Sequence, residues 1–507
     1  MTSFFMMTGF LVSQNLFAKT YGGTGEDCAY SMTRTTDGGL AVAGSTKSYG
    51  AGNTDFLILK ISSTGTPEWA RTFGGTGTDA CFSLIQTTDG GYALAGDTRS
   101  FGAGGIDLLV LKLSSAGNPE WAKSFGGTDD DLVRSIIQTA DGGFAVTGYT
   151  YSFGAGNDDF LIIKLSSSGN VEWARTLGGT LYDDAFSVIQ TMDGGYAVAG
   201  STVNFGAGGW DFLILKLSSA GNLQWARTFG GPNGDFLASP VIQTPDSGFM
   251  LAGHTESFGA GDWDCLVLKL SSTGTLEWAK TFGGTNTDNV RSVVRTADGG
   301  YAIAGWSRSF GDGSIDFLVL KISSNGNLEW ARSFGDTGWD DPFSMTQASD
   351  NGYAIAGWTD SFGAGSGDFL VLKIGPDGNY ADCVNACSPT VMSVSPATTS
   401  PGAGLIACSP TVTSPSPTTG TPGLTITDVC ESQYVDEIAG KQPGLTCSPL
   451  PGGALFVSPT EMPLRIYSAD GRIAYSGELE KGQNRISLET GVYLWRAGSY
   501  KGKVTVR

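Results

Sequence analysis

Short apolar runs alternate with glycine-rich polar segments along most of this chain, and the same order of runs returns seven times. Each copy holds four apolar runs of strand length, and a Thr-x-Asp-Gly-Gly-like turn follows the first of them. The turn aspartate marks the register and occurs at Asp37, Asp89, Asp141, Asp193, Asp246, Asp298 and Asp350. A fixed period of this kind indicates one structural unit repeated in series.

The second copy shows how a unit is expected to fold. Its apolar runs are residues 82–87, 92–95, 107–113 and 120–125, and the Asp89-Gly turn joins the first two as a hairpin. Runs that are apolar on both faces are typical of strands packed between neighbouring sheets. Four short antiparallel strands in each of seven units predict an all-β, seven-bladed β-propeller.

The two ends of the array are complementary. The last copy stops after its third run, residues 368–374, and lacks the fourth, Trp-containing run. Residues 15–23 resemble that missing run, as a comparison with residues 222–231 shows. We therefore expect the N-terminal strand to complete the seventh blade and to remove an open sheet edge.

The units resemble the β-propeller repeats of bacterial secreted and cell-surface proteins. Such propellers serve as binding platforms, adhesins, inhibitors and enzymes. The resemblance therefore predicts the fold of residues 14–379 and leaves their function open.

The chain is acidic, with 49 Asp and Glu against 30 Lys and Arg and a formal net charge of −19. Nucleic-acid binding needs clustered Lys and Arg, so the composition argues against a nucleic-acid partner.

Two further aspartates recur in every copy. The first set precedes the first strand and comprises Asp27, Asp79, Asp131, Asp183, Asp235, Asp288 and Asp340; the second opens the third strand and comprises Asp55, Asp107, Asp159, Asp211, Asp264, Asp316 and Asp368. Antiparallel strands place both sets at one end of the propeller, where we expect an acidic face. One interpretation is that each carboxylate clamps a glycine-rich loop. The other is that the first set binds Ca²⁺.

Aromatic residues fall into repeating and non-repeating sets. The repeating set, Trp69, Trp121, Trp173, Trp225, Trp278 and Trp330 with Phe17 in the seventh place, is expected to pack between blades. The non-repeating set is Trp210, Trp263, Trp306, Trp339 and Trp358. These tryptophans, with Asp211, Asp264 and Asp316, are the candidate site for a glycan or protein ligand, and local loop packing is the alternative.

A lysine also recurs in each third strand, at Lys60, Lys112, Lys164, Lys216, Lys269, Lys321 and Lys373, and is expected to pair with an acid.

Catalytic motifs are scarce. The sequence has one histidine, His254, and neither a Gly-x-Ser-x-Gly motif nor a phosphate-binding loop. We assign no catalytic residue, and an extracellular carbohydrate-active hydrolase or lyase using carboxylates is the alternative to a binding protein.

Residues 1–13 contain an apolar run, Phe4 to Val12, that is too short for a membrane helix and is interpreted as part of a signal peptide. The mature protein is expected to have no transmembrane segment.

Residues 380–453 form a linker rich in Cys, Pro, Ser and Thr, in which disulfides suit an oxidising compartment. The candidates are Cys383, Cys387, Cys408, Cys430 and Cys447. A Cys28–Cys81 disulfide is a further alternative, and Cys265 replaces a core phenylalanine.

Residues 454–507 return to short apolar runs and predict a small Ig-like β-sandwich. Its segments 464–472, 491–496 and 501–507 resemble the type A C-terminal sorting domain of type IX secretion substrates. The residues that carry the resemblance include Gly491, Val492, Tyr493, Leu494, Lys503, Val504 and Arg507. The resemblance implies recognition by the type IX secretion machinery and an extracellular or cell-surface location.

Overall fold

Seven blades form the ring in the computed structural model. It describes residues 16–378 except 51, 155, 207, 312–313, 336 and 363–366, together with the backbone of the C-terminal strands named below. The described part of residues 16–378 is all β-strand and loop, as a seven-bladed β-propeller. The predicted fold class is therefore confirmed for this region.

The strands of each blade follow one another in the chain, except in the last blade. In chain order they are β1 Phe17–Tyr21; β2 Asp27–Arg34, β3 Leu40–Thr46, β4 Asp55–Ile61 and β5 Pro67–Phe73 (blade 1); β6 Asp79–Gln86, β7 Tyr92–Thr98, β8 Asp107–Leu113 and β9 Pro119–Gly126 (blade 2); β10 Asp131–Gln138, β11 Phe144–Thr150, β12 Asp159–Leu165 and β13 Val171–Gly178 (blade 3); β14 Asp183–Gln190, β15 Tyr196–Thr202, β16 Asp211–Leu217 and β17 Leu223–Gly230 (blade 4); β18 Asp235–Leu237, β19 Ile242–Gln243, β20 Phe249–Thr255, β21 Asp264–Leu270 and β22 Leu276–Gly283 (blade 5); β23 Ser292–Arg295, β24 Tyr301–Ser307, β25 Asp316–Ile322 and β26 Leu328–Gly335 (blade 6); β27 Asp340–Gln347, β28 Tyr353–Thr359 and β29 Asp368–Ile374 (blade 7).

The ring closes through the N-terminal strand. Strand β1 pairs antiparallel with β29, with Phe17 opposite Lys373 and Tyr21 opposite Phe369. At the inner edge of the same junction, the Met32 amide of blade 1 donates a hydrogen bond to Ser344 Oγ of blade 7 at 3.0 Å. The predicted closure is confirmed, and blade 7 gains the outer strand that the seventh copy lacks.

Neighbouring blades pack through the repeating aromatic residues. The ring of Trp69 on β5 meets Tyr92 of blade 2 edge to face, with centroids 5.6 Å apart. It also covers Gly117, where an added Cβ would lie 2.8 Å from the indole. Phe17 plays the same part against Gly65 of blade 1. The repeating set therefore packs between blades, as expected.

The repeating lysines are buried and paired. Lys60 lies on the fully buried strand β4 and is 3 % exposed, and its Nζ is 2.9 Å from Asp37 and 3.1 Å from Glu68. All seven lysines bond the turn aspartate of their own blade. Gly38 supplies the positive φ of 86° that this turn needs. The expected pairing of each lysine with an acid is confirmed.

A β-bulge interrupts the inner strand of five blades. The register shifts at Tyr30, Phe82, Arg134, Phe186 and Phe343. Each of these lies three residues after the aspartate that opens the first strand of its blade. Bulges re-aim side chains and are frequent beside functional sites. Inner strands line the central channel of a propeller, so these five positions border it.

The C-terminal region consists of short strands. They are β30 Thr390–Ser393, β31 Ala397–Thr399, β32 Gly404–Ala407, β33 Thr411–Thr413, β34 Thr425–Asp428, β35 Thr446–Leu450, β36 Gly453–Ser458, β37 Met462–Ser468, β38 Ile473–Leu479, β39 Gly482–Ser487, β40 Gly491–Ala497 and β41 Tyr500–Val506. Strands β30 to β33 pair with the outer strands of blades 6, 5, 4 and 3, respectively. Strands β35–β36–β39 and β38–β37–β40–β41 form two sheets. The chain divides into two compact units after Thr427.

Several sequence predictions lie outside the described residues. They are the signal peptide at residues 1–13 and the disulfides of the linker cysteines. Within the propeller, Cys28 and Cys81 are buried free thiols, so the Cys28–Cys81 disulfide is not formed. Cys265 is 1 % exposed and packs in the core among residues of blades 5 and 6, as expected.

Candidate functional site

The loops that precede the first and third strands of each blade open at one end of the ring, which we call the upper face. Both aspartate sets lie there, beneath the loops. Asp27 and its six counterparts are fully buried, and the third-strand aspartates are 1 to 2 % exposed. The expected acidic ring is therefore not exposed: Asp211, Asp264 and Asp316 lie beneath the loops and do not form an accessible acidic surface.

Each first-set carboxylate is held by the loops around it. Asp79 Oδ1 accepts a hydrogen bond from the Thr98 hydroxyl, and its Oδ2 accepts from Ser100 Oγ at 2.6 Å and from the Gly75 amide at 2.8 Å. The other six aspartates accept equivalent bonds from the hydroxyl that ends the second strand and from the side chain two residues later. These donors join three loops at every blade, as a loop clamp requires.

The third-strand carboxylates approach those clamps across a glycine. An added Cβ on Gly74 would lie 1.9 Å from Asp55 Oδ1 and 2.9 Å from Asp79 Oδ2 of the next blade, so no side chain fits between them. Asp107 accepts from the Ala103 and Gly104 amides, both at 3.1 Å. Burial raises the pKa of Asp107 to about 6 and that of Asp183 also to about 6.

A Ca²⁺ ion at the first set would have to displace these donors. Among the described residues, no three His, Cys, Asp or Glu side chains are grouped as metal ligands would be. Ca²⁺ binding by Asp27, Asp79, Asp131, Asp183, Asp235, Asp288 or Asp340 stays a prediction.

Two of the five non-repeating tryptophans belong to one aromatic cluster in blades 4 and 5. Trp210 lies 5.1 Å from the Phe236 ring, which lies 5.5 Å from Trp263 and 5.6 Å from the imidazole of His254. The Tyr182 ring extends the cluster, 6.3 Å from Trp210. Burial lowers the pKa of His254 to about 3, so this histidine is neutral and acts as one more aromatic ring.

The other three tryptophans lie in blades 6 and 7. The Arg308 guanidinium lies over the Trp306 ring at 5.8 Å. Trp339 is 49 % exposed, and Trp358 is half-buried against Gly367. Sequence reasoning placed all five at one rim, and the structure joins Trp210 and Trp263 through Phe236.

A polar network that sequence reasoning missed lies in blades 2 to 4. Arg134 pairs with Asp97 of blade 2 at 3.4 Å and donates to the Tyr149 hydroxyl at 2.7 Å. The Val133 amide donates to Asp97 at 2.8 Å. Burial raises the pKa of Asp97 to about 6 despite the neighbouring guanidinium. Beyond Tyr149 lie Tyr151, Asp158 and Asp184.

The bulged residues form a second feature that the sequence reasoning missed. The Arg291 guanidinium lies 5.2 Å from the Phe343 ring, Phe343 contacts Tyr30 at 5.0 Å, Tyr30 contacts Phe82 at 5.1 Å, and Phe82 lies 4.8 Å from Arg134. An arc of three aromatic rings with an arginine at each end thus borders the channel. The signal was present in the sequence, because these residues differ between copies at a fixed position in each repeat.

A groove of about 500 Å³ opens at the junction of blades 7 and 1. Its lining includes Tyr21, Tyr49, Leu57, Leu59 and Ala70. Tyr21 stands where the other outer strands carry Phe or Leu, and its hydroxyl donates to the Gly65 carbonyl at 2.6 Å. The Tyr21 ring is only partly buried and lines the groove.

No helix among the described residues is long and apolar enough to cross a membrane. No protein-family model matches the chain. A curated relative, "Regulatory protein FlaEY" of Caulobacter vibrioides, is 26 % identical over 353 residues, which are 64 % of this chain and 36 % of the relative. The match thus spans about a third of that protein's length.

Three solved structures align with parts of this chain. Sqt1 of Chaetomium thermophilum aligns with a TM-score of 0.40 and 13 % identity over 71 % of this chain and 100 % of its own. PorZ, a surface component of the type IX secretion system of Porphyromonas gingivalis, aligns with a TM-score of 0.39 and 11 % identity over 96 % of this chain and 60 % of its own. The endo-1,5-alpha-L-arabinanase of Thermotoga petrophila aligns with a TM-score of 0.24 and 10 % identity over 70 % of this chain and 99 % of its own. These values are too low to support an inference about function.

Proposed function

We propose that the protein is a secreted or cell-surface binding protein, in which the propeller presents a ligand site on its upper face. The observation that supports this role is a break in symmetry. Blades 4 and 5 carry Trp210 and Trp263 at a position where the other copies have no aromatic residue. They do so on clamps that all seven copies share. A repeated scaffold does not need such differences, whereas a ligand site does.

The aromatic cluster suits binding better than catalysis. Aromatic rings at a rim, beside a few polar groups, are typical of sites that recognise glycans or peptides. Replacing Trp210 by Ala should remove the contact with both Tyr182 and Phe236. We expect binding of the full-length protein to a glycan and peptide array to weaken by about tenfold or more. The matched control is Met192→Ala, an exposed residue in the turn at the opposite end of blade 4. If both variants bind like the unchanged protein, blades 4 and 5 do not form the site.

Export is assigned to residues 454–507 as a type IX sorting domain. Its support is the resemblance of residues 464–507 and the antiparallel pairing of β40 with β41, in which Leu494 lies opposite Lys503 at the edge of a four-stranded sheet. In a host with type IX secretion, deletion of residues 491–507 should leave the protein in the periplasm. A deletion of the same length at residues 429–445 should not. Normal amounts of the first variant at the surface or in the medium would refute the assignment.

The alternative, an extracellular hydrolase or lyase, is favoured by one observation. Asp158 and Asp184 are a carboxyl pair that occurs at a single blade junction. The two carboxyls lie side by side, however, whereas glycosidase carboxyls are about 5 to 9.5 Å apart, with the bond to be cleaved between them. Release of reducing ends from oligosaccharides by the unchanged protein, lost in Asp184→Asn, would favour the enzyme.

A further inference from the structure

We propose that the rim between blades 3 and 4, formed by Tyr151, Asp158, Tyr182 and Asp184, is a subsite for uncharged oligosaccharides. This inference rests on the binding role proposed above and adds the chemical class of the ligand. We call these four residues the blade 3–4 rim.

The first support is that none of these residues is required by the repeat. At the position of Tyr182 the other blades have Glu26, Thr78, Asp130, Gly234, Thr287 and Trp339, and at that of Asp184 they have Cys28, Ala80, Leu132, Phe236, Asn289 and Asp341. At the position of Asp158 they have Thr54, Ile106, Trp210, Trp263, Ile315 and Gly367, and at that of Tyr151 they have Lys47, Arg99, Val203, Glu256, Arg308 and Asp360. Only this junction combines two carboxyls with two tyrosines.

The second support is the carboxyl pair itself. Asp158 is 2 % exposed, its Oδ1 accepts from the Asp183 amide at 3.0 Å, and its carboxyl lies beside the Asp184 carboxyl and the Tyr151 side chain. Two carboxyls this close favour the protonated form of one of them, and burial and the Asp158 charge raise the pKa of Asp184. The pair therefore offers both a donor and acceptors, which is what sugar hydroxyl groups need.

The third support is an unsatisfied oxygen. Asp184 Oδ1 is buried and has no hydrogen-bond partner in the structure, although the Asp184 side chain as a whole is only half-buried. A buried acceptor without a donor is costly. A ligand hydroxyl that reached it would supply the missing donor.

The fourth support is the exposed apolar surface around the pair. Tyr151, Leu181 and Tyr182 are 41, 47 and 43 % exposed, which is unusual for large apolar side chains in this propeller. The rings of the two tyrosines extend this surface to Tyr149 and Trp210, at 6.3 Å in each case. Exposed rings beside hydrogen-bonding groups suit a ligand with both apolar faces and hydroxyl groups.

Charge selects among such ligands. Arg134, a cation that acts on Asp184, already bonds Asp97, the Tyr149 hydroxyl and the Val133 carbonyl, which competes with an acidic sugar for its guanidinium. The two carboxyls of the rim would repel a uronate or a sulfate. An uncharged oligosaccharide avoids this repulsion.

The shared proton makes the subsite sensitive to pH. The groups facing the pair are Asp183 on its own strand, Tyr149 and Tyr151 at the end of β11, Arg134 on β10 and Asp97 on β7. Burial and the Asp158 charge raise the pKa of Asp184 to about 7. Above that pH the pair loses its proton, the carboxylates repel each other, and binding should weaken.

The test uses the full-length protein and an array of uncharged gluco-, manno-, xylo- and galacto-configured hexaoses beside their uronate counterparts. The unchanged protein should bind at least one uncharged hexaose, about tenfold less well at pH 8.5 than at pH 6. Tyr182→Ala should weaken binding by about tenfold or more at pH 6. Asp184→Asn, whose amide can still donate to Asp158, should bind with little dependence on pH.

Met192→Ala is the matched control, because Met192 is the most exposed large apolar residue in the part of the chain that the structure describes and lies in the turn at the opposite end of blade 4. The melting temperature of each variant separates loss of the site from loss of the fold. Binding to an uncharged hexaose that survives Tyr182→Ala and keeps its pH dependence in Asp184→Asn overturns the subsite while sparing the binding role. Binding to uronates or peptides alone overturns the ligand class. Binding to none of the hexaoses refutes this inference, and the Trp210→Ala comparison on the wider array still tests the proposed function.

Discussion

The carboxyls of the clamp aspartates and those of the blade 3–4 rim differ in their hydrogen-bond partners. Asp79 and its counterparts are buried among hydroxyl and amide donors that recur in every blade. Asp184 has no such set of donors: one of its oxygens lacks a partner, and its neighbour is another carboxyl. A carboxylate with a full set of donors stabilises the loops around it, whereas one that lacks donors has capacity for a ligand. The repeated residues therefore build the ring, and the residues that differ between copies form the site.

Removing the N-terminal strand should have the largest effect, because it breaks the part shared by all blades. Deletion of residues 15–23 takes away β1 and leaves the edge of β29 unpaired. We expect aggregation or a melting temperature lower by more than about 10 °C, measured by scanning calorimetry. Phe17→Trp, which restores the residue of the other blades, is the control and should melt near the unchanged protein. Unchanged melting and solubility of the deletion would show that β1 does not hold the ring closed.

Removing one clamp should have the next largest effect. Asp79→Ala leaves the Gly75 amide and the hydroxyls of Thr98 and Ser100 without their acceptor. We expect a loss of about 3 kcal/mol in the free energy of unfolding, measured by denaturant titration. Asp184→Ala removes a carboxyl that has fewer donors and should cost less. An equal or larger loss for Asp184→Ala would contradict the division between clamp and site.

The pH dependence of stability sharpens the same comparison. The pKa of Asp184 is raised to about 7 and that of Asp97 to about 6, so the folded state holds protons that the unfolded state releases near pH 4. Stability should therefore fall as the pH rises from about 4 to about 7. Asp184→Asn should flatten part of that fall, as the melting temperature across this range would show. A slope that is the same in the variant would mean that Asp184 titrates normally.

The turn aspartates act in the opposite direction. Hydrogen bonds from Lys112 and Thr87 lower the pKa of Asp89 to about 2. Their contribution is present above about pH 4 and is lost as the pH falls toward 2. Six of the seven turn carboxylates are more than half exposed, Asp350 being the exception, so solvent screens them and the effect should be small.

The fold could be predicted because its signals are local and occur seven times. The Asp-Gly turns, the apolar third strands and the orphan run at residues 15–23 each had one reasonable interpretation. The site was harder. Sequence reasoning took the abundance of aspartate for an exposed surface, and it could not see that Thr98, Ser100 and Gly75 surround Asp79. It chose tryptophans among the non-repeating residues and passed over Tyr151, Asp158 and Asp184, whose meaning depends on contacts between blades.

The most direct test of the central claim is a variant in which the four residues of the blade 3–4 rim are replaced by those that blade 2 has at the same positions in its repeat. The variant carries Tyr151→Arg, Asp158→Ile, Tyr182→Thr and Asp184→Ala, which match Arg99, Ile106, Thr78 and Ala80. The measurement is binding of the full-length variant to the hexaose array at pH 6, with its melting temperature taken in parallel. If repeated residues build the ring and the others bind, the melting temperature should change by less than about 4 °C while binding falls by about tenfold or more. Binding at full strength, or a ring that no longer folds, would contradict the account.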